Sequence, residues 1–465
     1  MCDTFVVLGD RAASGRTTLA KNSDREPNEA QYLTRVAAQD HAPGATLRCT
    51  FITVPQVAHT YGVLGSRPWW MWGFEHGLNE CGLVIGNEAL WSRLPASTEP
   101  GLLGMDLLRL TLERAATAAE GLDVLIVLLE RYGQSGPTSA TRVTSYHNSF
   151  ILADGAEAWI LETAGRHWAA KRVAGWGAIS NVYSIGADYD RISRDAIAFA
   201  TAQGWFDPAA GKPFDFAAAY ADTDVPFLPS CAARLIAARH RLSALEARGP
   251  LDFADIAGVL RSHGAEDPDA ADWRPGAEGE SLICMHATAT SGSETAAAAI
   301  VELPLAGEDP RATLFWAALA SPCLSSFVPI WLDSGVPDQW TQPDAKSQGA
   351  NADAWWEMES LQRLIERDYG RLAAAPRALL AQLEADARAA VAALPRDADA
   401  RTRRALMQDL AERQRSAVRA LTALTESCLA GAVTPRTDDP RGDYLTAAAA
   451  ERLPTHAGSR APTCP

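Results

Sequence analysis

The chain has 465 residues, 47% of them apolar and 21% charged, with a formal net charge of −15. That composition belongs to a large globular protein with an acidic surface, and it excludes a basic nucleic-acid footprint. Asp3, Asp10 and Arg11 interrupt the opening stretch, so no secretion signal is expected there, and no run approaches the roughly 20 apolar residues of a membrane helix. The eight cysteines (2, 49, 81, 231, 284, 323, 428 and 464) stand singly, without CxxC spacing, and read as reduced thiols of a cytoplasmic protein.

In chain order, 2–8 (CDTFVVL) and 17–22 (TTLAKN) predict short strands joined by GDRAASGR, a hairpin turn. That turn has a faint likeness to a phosphate-binding loop, but with one spacer residue too many and Arg16 where lysine belongs. Residues 82–90 predict a strand, and helical periodicity covers 105–118 and 122–133. A second hairpin is expected around the DG turn of 148–165. Helices follow over 189–202 and 231–245, then strands over 295–304 and 312–319. Hairpins separated by blocks of helix predict antiparallel sheets covered by helices, an α+β arrangement, rather than a doubly wound parallel sheet. From about Trp355 the chain is rich in Ala, Leu, Arg and Glu and reads as helical, broken near Pro376 and Pro395. The expected organisation is a main domain over 2–330, a helical C-terminal section over 351–432 packed on it, and a loosely ordered tail over 433–465.

HExxH, GxSxG and GxGxxG are absent, and the nine histidines show no ligand spacing. Cys284-Met285-His286 comes nearest, and its two polar side chains read as core-facing residues beside a strand. No metal or cofactor is expected. Trp69, Trp70 and Trp72 form a cluster that suits core or a subunit contact, with the wall of a substrate pocket as the alternative.

Cys2 is the sharper signal. Removal of Met1, which a small second residue permits, leaves a thiol and a free α-amine on one residue. That amine has an ordinary pKa of about 7.7–8.0, so it can take the thiol proton without a separate histidine. Taken alone, Cys2 is also what any terminus with a small second residue looks like.

Downstream stretches add to it. KNSDREPNEAQ (21–31) follows the opening Cys-Asp-Thr, and EHGLNECGLVIGNEAL (75–90), HNSFILAD (147–154), AWILETAGRHWAAKRV (158–173), AISNVYSIG (178–186) and SLICMH (281–286) come in order after it. Together they resemble the secernin and dipeptidase A family of cysteine N-terminal nucleophile (Ntn) hydrolases, over about 2–330 and more weakly through WWEMESL (355–361). The resemblance implies a four-layer αββα sandwich and hydrolysis of a small peptide or amide through a Cys2 thioester. It also implies that Asp24 hydrogen-bonds the α-amine or thiol, that Asn87 donates to the oxyanion, and that Asn181 lies near the α-amine. Read without the family, Asn87 and Asn181 are strand-end turn formers and Asp24 a cap. Lys21 stands where related acylases carry arginine; it keeps the positive charge and loses the planar two-point grip. The later catalytic arginine of those acylases is not placed on this sequence. The expected partner is a small peptide or amide, with no nucleic acid and no membrane; self-association is left open. Two alternatives stand beside dipeptidase action: acylase or acyltransferase chemistry on a non-peptide amide, and a non-catalytic, secernin-like interaction role.

Overall fold

The computed structural model describes residues 1–264, 283–287, 292–342, 353–395 and 397–430, so the tail expected over 433–465 lies outside the described residues. Two large sheets are built from β1 (Cys2–Val7), β2 (Thr18–Arg25), β3 (Gln31–Val36), β4 (Val63–Pro68), β5 (His76–Asn79), β6 (Val84–Leu90), β7 (His147–Ala153), β8 (Ala158–Ala164), β9 (His167–Arg172), β10 (Trp176–Ile179), β11 (Arg191–Ile192), β12 (Glu294–Glu302), β13 (Leu314–Leu319) and β14 (Val328–Trp331). The first sheet runs β10-β1-β2-β12-β13-β14 and the second β11-β9-β8-β7-β6-β5-β4-β3, with antiparallel ladders in both. The main helices are α1 (Gly104–Leu112), α2 (Ala118–Tyr132), α3 (Leu228–Glu246), α4 (Phe253–Leu260), α5 (Ala354–Glu366), α6 (Ala374–Ala392) and α7 (Ala400–Ala430).

Helices α1 and α2 cover the second sheet, where Leu107, Leu108 and Leu125 share an apolar cluster with Ile85, Phe150 and Leu152. On the other side, α3 packs on β10, α4 on β2 and β12, and α5 to α7 on β13 and β14. Strand β1 meets β6 and β7 across the sheet interface. The layers are therefore helix, sheet, sheet, helix, and strands sandwiched in this way are buried on both faces: all eight residues of β2 are buried. Trp355, Leu361, Leu380, Met407 and Leu421 of the C-terminal helices belong to the same core cluster as Phe5 and Ile300.

The helix expected over 189–202 is the clearest departure. Only Ala196–Ala202 is helical; Arg191–Ile192 is instead an edge strand opposite Ala169 and Ala170. The open hydrogen-bonding edge of β9 captures this segment, with Asp190 N–H donating to Ala170 O and Ser193 N–H to Trp168 O. The join between α1 and α2 also falls earlier than expected, because the Thr117 side chain accepts from Glu120 N–H and caps α2 at Ala118.

Candidate active site

Strand alternation decides which side chains meet. In the β1–β2 ladder Cys2 stands opposite Ser23 and Thr4 opposite Lys21, so these four share the face turned toward the second sheet. Gly86 of β6 permits this approach: a Cβ there would lie 3.1 Å from Lys21 Cδ and 3.2 Å from Thr4 Oγ1. Asp3, Asn22 and Asp24 occupy the opposite face, toward the helices.

Cys2 is 5% exposed. Its backbone N–H donates to Asn181 Oδ1 at 2.8 Å, and its Sγ accepts from Asp24 N–H at 3.4 Å. The ammonium of Met1 donates to Asp24 O at 3.2 Å, and Met1 Sδ lies 3.7 Å from Cys231 Sγ on α3. Burial pushes the Cys2 thiol up to about 11; Lys21 and the terminal ammonium pull it back, but not far enough. The sulfur is therefore a thiol, not a thiolate, at neutral pH.

Asn181 follows β10 and is fully buried. Its Nδ2 donates to Ala89 O at 2.9 Å, which fixes the amide so that Oδ1 faces the Cys2 nitrogen. The same oxygen accepts from Arg234 Nη2 at 2.6 Å. Arg234, not among the residues singled out in the sequence, is 1% exposed and also donates to Asp3 Oδ2 at 2.7 Å, with Asp24 Oδ2 at 3.6 Å. Its signal was legible: Cys231, Arg234, Leu235, Ala238 and Leu242 form the buried stripe of α3, and a lone arginine on an apolar stripe needs buried carboxylates.

Asp24 reaches the thiol through its backbone N–H and not through its side chain. Its carboxylate takes a hydrogen bond from Thr295 Oγ1 at 2.7 Å and faces Arg234, while Cys2 Sγ meets only its backbone. The reason is the register: Cys2 pairs with Ser23, so the next side chain along β2 points to the far side of the sheet. Burial holds the Asp24 carboxyl above its usual range, offset in part by the ammonium of Met1 and by Arg234.

Lys21 is completely buried. Its Nζ donates to Asn87 O at 2.6 Å and pairs with Glu88 Oε1 at 3.2 Å; Thr4 Oγ1 donates to the same carboxylate oxygen at 2.5 Å. Burial alone would lower Lys21, but Cys2, Glu88 and Glu75 outweigh it and keep the ammonium charged. Asn87, on β6, spends one Nδ2 hydrogen on Asn148 Oδ1 at 3.0 Å and turns the other to Met105 Sδ at 3.4 Å. A relay sets this polarity. Gln134 Nε2 donates to Thr163 Oγ1 and Gly165 O, its Oε1 accepts from Asn148 Nδ2 at 2.9 Å, and Asn148 Oδ1 then faces Asn87. Gly104 makes room for it, since a Cβ there would sit 2.1 Å from the Asn148 amide.

The three tryptophans separate. Trp69 packs against the main core, and Trp72 joins the α1–α2 cluster, where the Arg109 guanidinium lies 4.0 Å from its ring. Trp70 donates to Glu29, which pairs with Arg25 at 2.7 Å; Arg25 also reaches Glu75 at 3.1 Å and the Tyr146 hydroxyl at 3.3 Å. The DREPNE stretch thus builds an ion-pair network around Arg25. Elsewhere His263, Cys284, His286 and Cys323 gather into a buried cluster with metal-ligand chemistry.

The family model for peptidase family C69 matches residues 2–381. The chain belongs to peptidase family C69. The C69 match continues past the boundary expected at 330, through α5 and into α6. A dipeptidase of Bifidobacterium longum (strain NCC 2705) is 27% identical to this C69 chain over 212 residues, spanning 40% of this chain and 38% of that relative. The alignment therefore covers well under half of that relative's length. Among solved structures, penicillin V acylase from Agrobacterium tumefaciens is 14% identical, with 71% of this chain and 86% of that one covered at a TM-score of 0.38. A C2A mutant of conjugated bile acid hydrolase from Clostridium perfringens is 13% identical, with 72% and 93% covered at a TM-score of 0.41.

Proposed function

We propose that this C69 chain is a cysteine Ntn hydrolase that loses Met1 and cleaves dipeptides or similarly small amides through a Cys2 thioester. The observation that carries the reading is the pair of contacts on Cys2: Asn181 Oδ1 at 2.8 Å from its nitrogen, and Asp24 N–H at 3.4 Å from its sulfur. Once Met1 is removed, that nitrogen is a primary amine with an oriented lone pair beside its own thiol. The amine takes the thiol proton and the sulfur attacks the carbonyl carbon, so the carbonyl electrons move to oxygen. On the family resemblance, Asn87 is assigned the donor to that oxyanion, through the Nδ2 hydrogen that now meets only the Met105 thioether. Collapse expels the amine product, which receives the proton now on the α-ammonium. Water, deprotonated by the same α-amine, attacks the thioester; the acid leaves and the thiol is restored.

Lys21 keeps a positive charge beside the developing thiolate, and Arg234 locks Asn181, Asp3 and the first strand together. The name of the Bifidobacterium relative supports a dipeptide as substrate. The seven cysteines that are free among the described residues support a reducing, cytoplasmic location as part of the same proposal. A panel of dipeptides and N-acyl amino acids, offered to enzyme whose mass confirms a Cys2 terminus, tests the reading. Turnover of dipeptides is expected. Turnover of N-acyl substrates alone would make it an acylase, and no turnover with a reactive Cys2 would favour a non-catalytic role.

A further inference from the structure

Three segments distant in sequence converge on the helical side of the first sheet. The chain leaving α4 brings His263, the segment 283–287 brings Cys284 and His286, and the 3-10 turn Pro322–Leu324 brings Cys323. All four are buried, and one ligand atom from each lies within 4.8 Å of all the others. His263 Nε2 is 3.2 Å from His286 Nε2; Cys323 Sγ and Cys284 Sγ are 3.3 and 3.7 Å from that same nitrogen. A tetrahedral zinc with bonds of about 2.0–2.1 Å to nitrogen and 2.3 Å to sulfur has N–N edges of about 3.4 Å and N–S edges of about 3.6 Å. The observed separations lie within about 0.3 Å of those edges.

We propose that His263, Cys284, His286 and Cys323 hold one zinc ion in a closed structural site. The ligand set is the two-nitrogen, two-sulfur combination that selects zinc in a tetrahedral field. Two thiolates balance the charge of the ion, so the buried centre is neutral overall, and their protons pass to solvent on binding. His286 Nδ1 faces Glu366 Oε1 at 2.5 Å, the outer-shell carboxylate that fixes the ring and turns Nε2 toward the metal position. All four corners are protein ligands, so no position is left for water or substrate, and the ion has no place in the reaction itself.

Its position gives it a purpose. Met285, between two ligands, donates its N–H to Thr295 Oγ1 at 2.9 Å, and that hydroxyl donates to Asp24 at 2.7 Å. Met285 Sδ lies 3.7 Å from Arg234 Nη1, and Ile283 O accepts from Asn22 Nδ2 at 2.8 Å. Zinc therefore fastens the segment that backs the Asp24–Arg234 layer to α4, to the 322–324 turn and, through Glu366, to α5. This inference stands apart from the reaction proposed above.

The test is elemental analysis and zinc X-ray absorption on the full, untagged chain after gel filtration in metal-free buffer. About one zinc per chain is expected, with two nitrogen and two sulfur scatterers. Cobalt(II) added to chelator-stripped protein should give tetrahedral d–d bands and a thiolate charge-transfer band. Cys323→Ser and His263→Asn should each lower zinc content severalfold and the melting temperature with it. Less than about a tenth of a zinc per chain after growth and dialysis in zinc would overturn the proposal. So would a sulfur-free coordination shell, or a Cys284–Cys323 disulfide in freshly purified, unreduced protein. The wild-type measurements decide the matter even if the variants fail to fold.

Discussion

Replacing Asn87 by alanine removes the hydrogen proposed for the oxyanion, and its effect can be worked from the contacts of that side chain. One Nδ2 hydrogen is committed to Asn148 Oδ1 at 3.0 Å, while the other meets only the Met105 thioether at 3.4 Å, a weak acceptor. Exchanging that contact for an oxyanion costs little, so nearly all of the new hydrogen bond counts toward the transition state. Loss of one such donor typically lowers kcat about 10²–10³-fold, or about 2.7–4 kcal/mol. The fold should survive, because Lys21 bonds to the Asn87 backbone oxygen, which alanine keeps. The stability loss is the one acceptor left unpaired on Asn148, about 1–3 kcal/mol. The assay is kcat on the best substrate from the panel, with the melting temperature measured on the same sample. Asn148→Ala leaves both Asn87 hydrogens in place but frees the amide, so a smaller fall in kcat is expected. Near-normal turnover in a folded Asn87→Ala protein would refute the oxyanion role and reduce Asn87 to a strand residue.

The α-amine mechanism makes further demands. Intact mass should show active enzyme without Met1, and full retention of Met1 in an active preparation would overturn it. Cys2→Ala should be inert and Cys2→Ser much slower, while a form with one uncleavable residue before Cys2 should fold but not turn over. In that extended form the thiol titrates near 11, so its alkylation rate should climb about tenfold per pH unit from neutrality to about pH 10. The sign follows from the protonated thiol being the inert form; a plateau by about pH 8 would instead mean that Lys21 wins over burial. His147, whose conjugate acid burial lowers to about 4, is a poor base, so His147→Gln should keep most activity; its loss without unfolding would reinstate a histidine base.

The parts of this molecule legible in the sequence are those governed by near neighbours along the chain. Alternation and turn residues predict β1, β2, β7 and β8 to within a few residues, because period-2 patterning and a DG turn are local properties. Cys2, Lys21, Asn87 and Asn181 stood out through motif resemblance. Cys2 and Lys21 lie on the face of β1 and β2 toward the second sheet and Asn181 at the end of a strand, while the Asn87 amide, between Gly86 and Glu88 on β6, is turned to Asn148 and Met105. What the sequence did not yield depends on register and on distant contacts. The Asp24 side chain is turned from the sulfur by a one-residue offset in pairing with β1. Arg234 is marked by the apolar stripe of α3, but its partners Asp3 and Asn181 come from distant strands. Cys284 and His286 read as core, and they are buried, but their companions His263 and Cys323 arrive from α4 and from the end of β13, which no spacing rule connects. The edge strand Arg191–Ile192 forms because β9 has a free side, again a property of the assembled sheet.

The two faces of the β1–β2 ladder divide the labour, and that division bears on where the thiol proton goes. The face toward the helices carries Asp3, Asn22 and Asp24, tied to Arg234, Thr295, Leu260 and Ile283, and it serves as anchorage. The face toward the second sheet carries Cys2 and Lys21, and there burial outweighs the lysine charge and keeps the sulfur protonated. In the chain that begins at Met1, electrostatics alone therefore does not hold the sulfur as a thiolate. Lys21 cannot accept the proton because it already holds its own, fixed by Asn87 O and Glu88. The Asp24 carboxylate projects from the opposite face of β2 and is engaged with Thr295 and Arg234. His286 is engaged with Cys284, Cys323 and Glu366. On the proposed reading this leaves the nitrogen of Cys2 itself, already oriented by Asn181, as the base, which is why the chain must begin at its nucleophile to work.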